Sequence, residues 1–152
     1  MDLTPSFLEA GERATVALTG PNERDEPMTG FRVRVPGGMR IAGGHGPYGW
    51  SLGQGEAAAT WSGGSLAAGS EATFQVELEA PQAPGAAELE VDQLYPGGEV
   101  VSWTVALTVV PATDTPGQNL GLALVVAILG LLLTAGIVGF SWYRRTRSLQ
   151  ER

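Results

Sequence analysis

Apolar and polar residues alternate in short runs from Met1 to Val110, and glycine and proline break the runs apart. Phe31, Val33 and Val35 are interleaved with Arg32 and Arg34. Phe74, Val76 and Leu78 are interleaved with Gln75, Glu77 and Glu79. Leu89 and Val91 lie between Glu88, Glu90 and Asp92, and the longest run puts Val101, Trp103, Val105, Leu107 and Val109 on one face. A period of two predicts antiparallel strands with one face on a core and the other in water. Thr15–Thr19 and Ala57–Ser62 read as further strands. The separators carry turn chemistry: PGG at 36–38, GG at 43–44, GG at 63–64, AAG at 67–69 and PGG at 96–98. Glycine supplies positive φ there and proline presets a turn corner. About seven short strands in about 110 residues, with no helical period among them, predict an all-β, immunoglobulin-like antiparallel β-sandwich.

A second pattern begins at Leu120. LGLALVVAILGLLLTAGIVGFSW, residues 120–142, holds no charge. As a helix it is about 34 Å long, enough for a hydrocarbon core about 30 Å thick. Trp142 and Tyr143 stand where interfacial aromatics belong, and Arg144, Arg145 and Arg147 follow at once. The prediction is one C-terminal transmembrane α-helix, with a cytoplasmic basic tail at 143–152 and the β-domain outside. Residues 111–119 form a short linker, so the domain is expected close to the membrane surface.

Charge follows the same division. Residues 1–119 carry fifteen acids and five arginines, a balance of −10, whereas the last ten residues carry four arginines against Glu151, a balance of +3. So acidic a domain repels phosphate backbones, which argues against nucleic acid as a partner. The absence of cysteine excludes disulfides and thiolate metal sites.

Few local motifs carry chemistry. Gly49-Trp50-Ser51-Leu52-Gly53 matches the G-x-S-x-G nucleophile elbow, but no helix pattern follows and the single histidine, His45, precedes the serine. The match reads as coincidence, and no enzyme is expected. His45 lies in the glycine-rich IAGGHGPYGW, where an exposed loop residue is the plain reading, because a metal site needs three or more donors. Met28 and Met39 read as packing, not soft copper(I) ligands. Trp61 and Trp103 lie in runs of strand character, where core packing is the default.

Five segments, taken in order, resemble the YcnI-like copper-binding family of bacterial extracytoplasmic domains. They are DLTP followed by EAGE, PNERDEPMTGFRVRVPGG, the GW at 49–50, ATWSGGSL at 59–66, and DQLYPGGEVVSW at 92–103. The resemblance covers residues 1 to about 109. It implies a membrane-tethered domain that binds copper(II) (Cu2+) in acquisition, delivery or homeostasis, with copper-transport membrane proteins as possible partners. In this family the mature chain begins His-Val-x-Val-x-Pro. The resemblance implies that this first histidine chelates copper through its α-amine and ring, that a carboxylate completes the site and that a tryptophan lies against the metal. Carried over by position, the carboxylate is Glu23, with Asp25 and Glu26 as neighbouring alternatives, and the tryptophan is Trp103.

Aligning Pro5 with the family's proline places Met1 on its valine and the histidine one position upstream. Residues 1–16 also contain no secretory signal, although the arginine flank predicts an external domain. One late start accounts for both, since a GTG valine codon taken as a start is read as methionine. The expectation is a true start upstream of Met1. The competing function is an immunoglobulin-like cell-surface interaction module without metal.

Overall fold

The computed structural model describes residues 1–113. The predicted span at 120–142, the remainder of the linker and the basic tail lie outside the described residues. Among the described residues no helix is long and apolar enough to cross a membrane.

The alternating runs fold as ten strands. They are β1 (Asp2–Thr4), β2 (Phe7–Glu9), β3 (Arg13–Pro21), β4 (Met28–Arg34), β5 (Arg40–His45), β6 (Ser51–Gln54), β7 (Ala58–Leu66), β8 (Glu71–Glu79), β9 (Gly85–Leu94) and β10 (Val100–Val110). One sheet has the order β1-β3-β8-β5 and the other β2-β10-β9-β4-β7-β6. All pairs are antiparallel except β2 with β10. Met1–Thr113 is a single compact unit. This is the expected immunoglobulin-like sandwich.

The alternation works as the period of two requires. Val16 and Leu18 of β3, Phe74, Val76 and Leu78 of β8, Phe31 and Val33 of β4, Leu89 and Val91 of β9, and Leu107 and Val109 of β10 are all buried. At the centre Phe31 and Phe74 stack at 4.0 Å between ring centroids, and Trp50 meets Phe74 edge-on at 5.2 Å. Such offset and edge contacts suit the quadrupoles of the rings. Met28 and Met39 are buried among these side chains, as their packing role requires.

Four strands escaped the period-two reading, namely β1, β2, β5 and β6. The first two have three residues each, too short to display a period. In β5 the Gly43-Gly44 pair, expected as a turn, lies within the strand. The reason is close packing, since a β-carbon on Gly44 would lie 2.8 Å from the Trp61 ring. His45 therefore closes an edge strand, paired with Gln75, and remains exposed. Gly63-Gly64 likewise lies inside β7, and Gly64 faces the Trp50 indole at 2.3 Å from a hypothetical β-carbon. Ser51 opens β6 opposite Ser62 instead of sitting at a strand-to-helix elbow.

Candidate functional site

Glu23 lies in the loop between β3 and β4 and is exposed, as are Arg24, Asp25 and Glu26. The residue that shapes this loop is its neighbour Asn22, which is fully buried. Its side-chain amide donates to Glu26 O at 2.7 Å and Leu66 O at 3.0 Å, while its Oδ1 accepts the Arg24 amide at 3.1 Å. Its backbone N–H donates to Ser70 O, and its carbonyl accepts from the Gly69 amide. One side chain thus ties the β3–β4 loop to the β7–β8 turn.

The same asparagine also reaches the β9–β10 turn. The Tyr95 hydroxyl lies 2.9 Å from both Asn22 Oδ1 and Gln93 Oε1 and gives its single proton to one of them at a time. Gln93 Nε2 donates to Pro21 O at 3.0 Å. Asn22, Gln93 and Tyr95 are all buried, so the network costs little only because its donors find partners. Burial raises the Tyr95 phenol above its ordinary value. Arg24, its guanidinium 5.4 Å from the ring centre, opposes that shift, and the nearby Glu23 charge adds to it. Arg24 also pairs with Glu99 across the mouth of this turn.

The amino end arrives at the same end of the sandwich. Asp2 pairs with Thr19, so Met1 stands opposite Gly20. A β-carbon on Gly20 would lie 2.9 Å from the Met1 sulfur, which shows that the Met1 side chain fills the space over that glycine. β3 ends at Pro21, two residues before Glu23.

Trp103 stands on β10 opposite Val91 and points inward, half-buried against the core. Its indole nitrogen is buried without a hydrogen-bond partner, and so is that of Trp61. Along β10, Trp103 is about 13 Å from Glu99, at ~3.3 Å per residue. No hydrogen bond among the described residues links Glu23, in the β3–β4 loop, with Trp103 on β10.

Among the described residues no three His, Asp or Glu side chains form a group able to hold a metal. His45 is on the edge strand β5, paired with β8. The loop carries three exposed carboxylates, Glu23, Asp25 and Glu26, but they do not gather into a group able to hold a metal. The described residues by themselves do not make a copper centre.

Sequence reasoning missed Asn22, Gln93 and Tyr95. Nothing in a single Asn, Gln or Tyr announces burial, but all three lie inside two of the segments that carry the family resemblance, PNERDE and DQLYPGG.

No family model matches this chain, and no curated protein matches it. Solved structures do. A protein from Nocardia farcinica with an immunoglobulin-like fold is 20% identical, with 74% of this chain and 96% of that one covered and a TM-score of 0.57. A protein from Corynebacterium diphtheriae described as membrane anchored is 16% identical, with a TM-score of 0.54; 74% of this chain matches 33% of that one. This chain thus spans a third of the second protein's length. At these identities the likeness establishes the fold.

Proposed function

We propose that this domain is a membrane-anchored, extracytoplasmic copper(II)-binding module, in which Glu23 supplies the carboxylate and Trp103 the tryptophan beside the metal. The observation that supports this reading most is the convergence of the amino end, over Gly20, with the loop that Asn22 and Tyr95 hold in place around Glu23. A residue placed before Met1 would continue β1 opposite Pro21, close to that loop. A histidine there would offer an α-amine and an imidazole, both suited to Cu(II) near neutral pH, since the amine titrates near pH 8. The uncharged segment 120–142 and its arginine flank would tether the domain with its carboxyl end in the cytoplasm. The Corynebacterium neighbour is likewise described as membrane anchored, which supports a tether. The reading assigns the module to copper acquisition, delivery or homeostasis and no catalytic step to it.

Titrating Cu(II) into the chain bearing a histidine immediately before Met1 tests this. One Cu(II) per chain is expected, with nitrogen couplings in its paramagnetic resonance spectrum. Glu23→Gln should weaken binding at least tenfold, and Asp25→Asn and Glu26→Gln should not. Absence of stoichiometric binding would sink the copper reading. Equal binding without the histidine would sink the amino-terminal part of it. An in-frame reading of the DNA upstream of Met1 checks the start separately, by the presence or absence of a histidine codon behind an apolar signal.

A further inference from the structure

Most lateral edges of this sandwich are protected. An open strand edge presents unpaired N–H and C=O groups to any other strand, and proteins blunt such edges by shortening, charging, bulging or covering them. Here β1 and β2 have three residues each and β6 has four. The edge of β5 carries a register shift between Ile41 and Gly43, and the Ile41 amide donates to Glu56 O at 2.8 Å. Gln54 Nε2 reaches Ala42 O as well.

β10 is different. On one side it pairs with β9 along almost its whole length, from Val100 to Val109. On the other, β2 covers only Thr108–Val110. Val100–Leu107 is thus an eight-residue edge without a strand partner; β1 approaches β10 but does not pair with it, and no other backbone hydrogen bond among the described residues closes this edge. Its sequence, VVSWTVAL, holds neither charge nor proline and is rich in β-branched and aromatic residues. Val100, Ser102, Thr104 and Ala106 are exposed on its outer face.

We infer that this edge pairs antiparallel with the same edge of a second copy of the chain, joining the two six-stranded sheets into one. Charge selects this occupant. All five arginines of the described domain are held in ion pairs, with Glu77, Glu99, Asp92, Glu90 and Glu56. The acids left over give most of the surface one sign, which opposes contact between copies there. Val100–Pro111 is an uncharged run, so two acidic copies meet along it without opposing carboxylates. A two-fold axis perpendicular to the sheet makes the contact self-complementary. Residues on one face then oppose residues on the same face. Centred on Trp103, Ser102 of one copy lies opposite Thr104 of the other, and Val101 opposite Val105. Glu99, already paired with Arg24, falls opposite Leu107, not opposite an acid.

The chain has no cysteine, so thiol cross-linking reports one position at a time. The probe is a short bismaleimide, applied to the full chain extracted in detergent. Thr104→Cys is expected to give a cross-linked dimer, whereas Thr73→Cys, exposed on the outer face of the other sheet, should remain uncross-linked. Thr104→Lys, with a charge set on the edge, should shift the sedimenting protein from dimer to monomer without changing its circular dichroism. A monomer of the natural chain at micromolar concentration would overturn the inference. So would equal cross-linking at Thr73, or a dimer that survives Thr104→Lys, since either places the contact elsewhere.

Discussion

The Tyr95 hydroxyl stands 2.9 Å from Asn22 Oδ1, inside the protein, and this contact joins the β9–β10 turn to the loop that carries Glu23. Two turns distant in sequence are held as one piece, with Gln93 and Pro21 closing the network from beneath. The loop backbone is thereby fixed in the free protein, which lowers the cost of ordering that backbone in any contact it makes.

Removing the two partners should have unequal effects. Tyr95→Phe keeps the ring and loses one hydroxyl bond, so a loss of about 1 kcal/mol is expected. Asn22→Ala strips the Leu66 carbonyl and the Arg24 amide of their partner and should cost roughly 2–3 kcal/mol. Urea unfolding measures both. Hydrogen exchange of the 22–26 amides should accelerate in Asn22→Ala more than elsewhere in the domain.

Asp92 contributes to stability against acid. It is buried on the outer side of the six-stranded sheet, where Arg32 places two nitrogens on Oδ2 at 2.9 and 2.6 Å and Ser102 donates to Oδ1 at 2.7 Å. Burial pushes its carboxyl up, but Ser102, Arg32 and Arg34 together outweigh this and hold it below the ordinary value. A lowered folded-state pKa contributes stability above the unfolded carboxyl value, near 4, and loses it as pH falls through the folded one. Urea midpoints should therefore drop steeply below about pH 4. Asp92→Asn should flatten that part of the profile and cost about 1–3 kcal/mol at pH 7.

Glycine substitutions should separate tight packing from open turns. A β-carbon on Gly44 would come 2.6 Å from the Gln75 carbonyl oxygen, a backbone atom that cannot step aside. Gly44→Ala is expected to cost about 2–3 kcal/mol and to shift the Trp61 emission. A β-carbon on Gly37 would meet nothing within 4 Å. Gly37→Ala should be neutral or slightly stabilising, by up to about 1 kcal/mol.

The role proposed for Trp103 has its own readout. In the chain bearing a histidine before Met1, Cu(II) should quench tryptophan emission, and Trp103→Phe should remove most of that quenching. If Trp50→Phe removed it instead, the metal would lie on the β5–β6 side, away from Trp103.

The alternation of apolar and polar residues in β3, β4, β7, β8, β9 and β10 was sufficient to place those strands. A half-buried strand must alternate, and these are seven to eleven residues long. The same reading placed the Pro36–Gly38 and Ala67–Gly69 turns, where Gly38 and Gly69 have φ of 88° and 68°. Composition set the acidity of the domain, whereas Glu23 is singled out only through the family resemblance, with Asp25 and Glu26 beside it. What it could not supply depends on atoms that meet across the fold. Gly43 and Gly44 read as a turn because a glycine pair is compatible both with a turn and with close approach, and only the Trp61 indole decides between them. Asn22 and Tyr95 are ordinary loop residues until two turns 73 positions apart come together. Whether an edge is open is likewise a property of its neighbours. Val100–Leu107 reads as a strand from the sequence, but only the tertiary pairing shows that β2 stops at Thr108 and leaves the rest of β10 without a strand partner on that side.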